Sequence, residues 1–104
     1  MKVLRELPRE TVELMPAKAL KRKDFRSTRV GSNVQVLRSL FQTKPEGVFE
    51  IDCGPTYSNH PRTCHTQQAV FRINANALLP RLVRAYHTNS GTLIMWMVSE
   101  EENA

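Results

Sequence analysis

Apolar residues recur along this chain at three spacings, and each predicts a different element. From Ser32 to Gln42 they fall at helical intervals. Val34, Leu37 and Phe41 make one stripe, widened by Val36 and Leu40, with Gln35, Arg38, Ser39 and Gln42 filling the other side. Gly31-Ser32 opens this helix. Ser32 is placed to cap the free N–H groups, with Gln35 at the capping-box spacing. Lys44-Pro45-Glu46-Gly47 stops the helix and turns the chain. From Val48 to Cys53 the spacing changes to two, so Phe49, Ile51 and Cys53 face one way and Val48, Glu50 and Asp52 the other. From Leu93 to Val98 there is no alternation: six large apolar residues follow one another, the mark of a strand covered on both faces.

The remaining stretches are read with the same rules. Thr11 to Met15 alternates and predicts a first strand ended by Pro16. Ala69 to Ala75 predicts another, with Phe71 and Ile73 on one face. Phe71, Ala75, Leu78, Leu82 and Tyr86 also recur at helical spacing, but one helix through all of them would carry Pro80 in its interior at a cost of about 3 kcal/mol. The spacing therefore predicts a strand, then a helix from Ala77 or Pro80 to His87, closed by Asn89-Ser90-Gly91. Gly54 to Gln67 is polar and reads as a long loop.

The resulting order, β-α-β-β-α-β, is the split βαβ or ferredoxin-like pattern, an α+β sandwich with helices on one face of a four-stranded antiparallel sheet. In that topology the last strand is an edge. An edge apolar on both faces invites a partner, so Leu93, Met95, Trp96 and Met97 are the expected interface of a homodimer or a complex with another protein. The length of 104 residues suits one domain, with residues 1–10 a packing arm and 99–104 a solvated acidic tip.

Composition refines this picture. An apolar fraction of 40% is far above that of a disordered chain. No apolar run is long enough to span a bilayer, so no membrane role is expected. The charged N-terminus lacks the apolar core of a secretion signal. The expected location is the cytoplasm or nucleus, where two cysteines are thiols by default. The net charge of +5 is concentrated in residues 17–30, where Lys18, Lys21, Arg22, Lys23, Arg26 and Arg29 are opposed by Asp24 alone. Such a run can neutralise several phosphates of a nucleic acid. The aromatic platforms and glycine signature of an RNA-recognition sheet are missing.

Two further constellations carry chemistry. Cys53, His60, Cys64 and His65 offer two sulfurs and two imidazoles to zinc, although the spacing C-x6-H-x3-C-H is not that of a common finger. Cys53 or Cys64 with His60, His65 or His87 would make a nucleophile pair if the fold brought them together, and a Cys53–Cys64 disulfide is sterically open. There is no phosphate-binding glycine loop, so no nucleotide cofactor is expected. The sequence thus favours a small basic, non-catalytic binding protein without a cofactor. It contacts nucleic-acid phosphates through residues 18–29 and associates through its C-terminal strand. The alternatives are a protein–protein adaptor and a small enzyme using Cys and His residues.

Overall fold

Val48 to Asp52 forms a strand with apolar cover on both sides, and the fold is built outward from it. The computed structural model describes residues 1–15, 31–57 and 60–103, with backbone alone at 56–57, 60–63 and 102–103. In chain order the elements are β1 (Val3–Leu7), a 3-10 helix (Arg9–Leu14), α1 (Ser32–Thr43), β2 (Val48–Asp52), β3 (Thr56–Tyr57), β4 (His60–Cys64), α2 (His65–Ala75), β5 (Val83–His87), β6 (Thr92–Met97) and α3 (Glu100–Asn103). Strands β1, β2, β6 and β5 lie side by side in that order, each antiparallel to its neighbour. Strands β3 and β4 form a separate small hairpin. Both long helices pack on one face of the four-stranded sheet. This is the α+β class that the periodicity predicts, and it is consistent with a ferredoxin-like arrangement.

The helix-side core joins Val34, Leu37 and Phe41 of α1 and Ala69, Val70 and Ile73 of α2 to Phe49, Ile51, Val83, Leu93, Met95 and Met97 of the sheet. The Val, Leu, Ile, Phe and Met side chains among them each contribute about 1.5–3 kcal/mol when fully buried. The stripe Val34, Leu37, Phe41 is the one expected for α1. The cap is not: Gly31 takes the N-cap position, and no side chain bonds the free N–H groups there. On the opposite face Val48, Ile94 and Trp96 form a second cluster, covered by Leu7, Val12 and Met15.

Within this class the path of the chain corrects several expectations. Val3–Leu7, expected as a packing arm, is a strand of the same sheet, and residues 11–14 belong to a 3-10 helix instead of the first strand. Residues 69–75 are helical. Cys64 caps the helix by accepting from the Gln67 N–H at 3.3 Å, and Thr66, Val70 and Ile73 then fall at buried helical positions. The helix stops before Pro80, so the proline penalty never arises. Residues 83–87 form a strand, paired from Val83↔Met97 to His87↔Leu93.

The hairpin turn between β5 and β6 is Asn89-Ser90-Gly91, with Gly91 at φ +79°, a conformation open to glycine. Pairing across this turn places β6 between β5 and β2, so the terminal strand is central, not an edge. Leu93, Met95, Trp96 and Met97 are 0–2% exposed within the single chain, which explains their unbroken apolar run and leaves them no surface for a second subunit.

Glu50 also departs from the solvent-facing role its alternation suggests. It is buried, accepting from Arg5 Nε at 2.6 Å and from Thr92 Oγ1 at 2.7 Å. These bonds, led by Thr92, hold its carboxyl below the ordinary value against the opposing effect of burial. Glu100 and Glu101 are exposed at the acidic tip. Among the described residues, no helix is long and apolar enough to cross a membrane.

Candidate metal centre

The alternation of the strands decides which side chains reach the end of the helix-side layer. In β2 the set Phe49, Ile51 continues to Cys53 just past the strand, and in β5 the set Val83, Ala85 continues to His87. At that same end α2 begins, and its N-cap is Cys64. Two strand ends and one helix start therefore deliver two thiols and an imidazole to one place.

Backbone bonds fix the approach. The Cys53 N–H donates to the Gly91 carbonyl at 3.3 Å, tying the end of β2 to the β5–β6 turn. The Cys53 carbonyl accepts from the Thr66 N–H at 3.3 Å, and Thr66 Oγ1 donates to the Asp52 carbonyl at 2.7 Å. Gly54, at φ +70°, then reverses the chain into the β3–β4 hairpin that returns to Cys64.

One donor atom from each of Cys53, Cys64 and His87 lies within 4.8 Å of the others, and Cys64 Sγ is 3.9 Å from His87 Nε2. Around a tetrahedral zinc ion, with bonds of about 2.0–2.3 Å, neighbouring ligand atoms sit about 3.5–3.8 Å apart. A contraction of a few tenths of an ångström brings the Cys64–His87 pair to that spacing. The cluster can therefore coordinate a metal such as zinc. Cys64 is buried, Cys53 half-buried and His87 exposed, so the site opens on the His87 side. Burial, then the neighbouring Cys64, pushes the Cys53 thiol up to about 12. The pair resists carrying two negative charges unless a cation is between them, and a bound metal ion reverses that preference.

The sequence assigned two of these three residues to a metal set. Cys53 and Cys64 are brought together. His65 is outside the cluster and lines a separate cleft between the starts of α1 and α2, with Gly31, Ser32, Gln68 and Arg72. The side chain of His60 lies outside the described residues. His87 takes their place. Its signal in the sequence is the alternation Val83, Ala85, His87, which the helical spacing of residues 77–87 masks. Lys18, Lys21, Arg22, Lys23, Arg26 and Arg29 also lie outside the described residues. Phe49 and Phe71 are buried, so neither offers a stacking face. No protein-family model, curated protein or solved structure matches the chain.

Proposed function

We propose that the chain is a small metal-dependent protein that works through Cys53, Cys64 and His87. The reading favours the enzyme alternative over a purely electrostatic binding role. One observation carries it: three soft or borderline donors from distant parts of the sequence converge within 4.8 Å. Two sulfurs and an imidazole suit zinc, and three protein ligands leave a fourth position for water or a substrate atom, the pattern of catalytic more than of structural zinc sites. A cation held there supplies Lewis-acid chemistry. The chain's own part is to hold three donors at the end of a rigid sheet and to keep one side open.

The test is the metal content of the native protein and its response to cobalt. The expected result is one ion per chain, with cobalt giving the intense near-ultraviolet absorption of thiolate ligation. Cys64→Ser and His87→Ala should each weaken binding by more than about tenfold, beyond the loss seen on removing a supporting residue. A folded wild-type protein that binds neither zinc nor cobalt overturns the reading.

A further inference from the structure

The same geometry that suits a cation also places two sulfurs within reach of one another, without a disulfide between them. We propose that Cys53 and Cys64 are a peroxide-reactive dithiol, closing to an intramolecular disulfide that displaces the metal. The displacement rests on the metal reading above; the dithiol chemistry does not.

The two thiols differ in setting. Cys64 is the N-cap of an 11-residue helix and accepts a hydrogen bond from the Gln67 N–H at 3.3 Å. His87 Nε2 stands 3.9 Å from it, on the open side of the cluster. Cys53 has no such helix start behind it. Its backbone is bonded to Thr66, two residues past Cys64, so the two stretches of chain already run side by side. Closing the bond asks for rotation of two side chains toward the usual sulfur–sulfur length of about 2.05 Å, with the backbone contacts retained.

The chemistry balances with a hydroperoxide as the named oxidant. The Cys64 sulfur attacks the terminal peroxide oxygen. An S–O bond forms, the O–O bond breaks, and the alcohol (water, for hydrogen peroxide) leaves after taking a proton. Sulfur has then lost two electrons and the peroxide has gained them. Cys53 attacks the Cys64 sulfur, the S–S bond forms, and hydroxide leaves with the Cys53 proton as water. Hydrogen peroxide is close to water in size, and of the three residues Cys53 is half-buried and His87 exposed, so buried Cys64 is approached from their side. Both sulfurs are consumed in the product, so the site holds either a cation or a disulfide.

The experiment uses the wild-type chain, metal-free and zinc-loaded, treated with stoichiometric hydrogen peroxide. Intact mass, alkylation of residual thiols and a chromogenic zinc chelator are read together. The expected result is a loss of two hydrogens, one crosslinked peptide joining Cys53 to Cys64, and zinc released in step with it. Cys53→Ser should stop at one added oxygen on Cys64, captured by a 1,3-diketone probe. Added oxygen on the wild-type protein without a crosslink, a disulfide between two chains, or two thiols still open to alkylation would each overturn the proposal. A crosslink in a protein that never takes up zinc supports the dithiol and removes the metal reading, so the two are separable.

Discussion

Asn74 and Val83 hold each other by two hydrogen bonds. The Asn74 amide donates from Nδ2 to the Val83 carbonyl at 3.0 Å, and its Oδ1 accepts the Val83 N–H at 2.9 Å. Asn74 is 2% exposed and Val83 fully buried. The side chain thus acts as a backbone segment would, pairing α2 with the start of β5. The consequence reaches the candidate site, because α2 is capped by Cys64 and β5 ends at His87.

Replacing Asn74 strands two buried backbone groups. Asn74→Ala should destabilise the chain by about 2–4 kcal/mol, since each unsatisfied group costs about 1–3 kcal/mol. Asn74→Asp keeps the shape but loses the donor and buries a carboxylate, so it should also be destabilising at neutral pH. Urea unfolding followed by the fluorescence of Trp96 measures both. A loss under about 0.5 kcal/mol for the alanine variant, the range of ordinary surface changes, would show that this pair does not hold α2 to β5.

Ala77 offers the opposite experiment. It sits at φ +49°, two residues past the end of α2, in the left-handed region that costs an L-residue about 1–2 kcal/mol. The bonds from the Leu78 N–H to the Ile73 carbonyl and from the Ala77 N–H to the Asn74 carbonyl make a Schellman ending, whose left-handed position favours glycine. Ala77→Gly should raise stability by about 0.5–1 kcal/mol despite the greater freedom of glycine in the unfolded chain. A lower unfolding midpoint in urea would contradict that.

The buried Glu50 predicts an acid sensitivity. Thr92 and Arg5 stabilise its charged form, so its carboxyl in the folded chain lies below the ordinary value of 4.5. The contribution is present above that ordinary value and is lost as pH falls through the folded one. Glu50→Gln should lower stability at neutral pH and flatten the decline below about pH 4.5. Unfolding curves from pH 7 down to about pH 3 test it. Parallel wild-type and variant profiles would mean that the carboxylate is not the source.

The basic run gives a prediction that rests on sequence. If Lys21, Arg22 and Lys23 contact nucleic-acid phosphates, replacing all three with alanine should weaken binding and reduce its salt slope by about three contacts' worth. Fluorescence anisotropy over a salt series measures both. An unchanged slope would remove the role.

What the sequence discloses, and what it hides, follows from how local each cause is. The stripe of α1 and the alternation of β2 are local patterns, and both elements form where they predict. The six apolar residues from Leu93 correctly imply cover on both faces, but which strands supply that cover depends on pairing across the whole chain. Residues 69–87 are ambiguous because helix and strand spacings both fit; a thiol acting as N-cap and an asparagine replacing a backbone partner decide between them, and neither is a common signal. His87 shares a face with Val83 and Ala85 only when residues 83–87 are a strand, so helical spacing there hides it from the metal set, whereas Cys53 and Cys64 stand out by residue type alone.

Metal binding should be steeply pH-dependent, for a reason visible in Cys53. Its thiol is pushed up to about 12 by burial and by Cys64, so the metal-free protein holds that proton across the whole neutral range. Coordination needs both sulfurs deprotonated, and uptake of one zinc ion should therefore release up to about two protons. Affinity then rises with pH, and the sign is fixed because only the metal-free state holds the protons. Titration calorimetry in two buffers of different ionisation enthalpy counts the protons directly. The Cys53→Ser variant should bind more weakly and release about one proton fewer. Because a ligand that binds only the folded state adds to its stability, excess zinc should also raise the thermal midpoint of the wild type at pH 8 more than at pH 6. Zinc uptake without proton release, or with an affinity flat between those pH values, would place the ion elsewhere than on this pair of thiols.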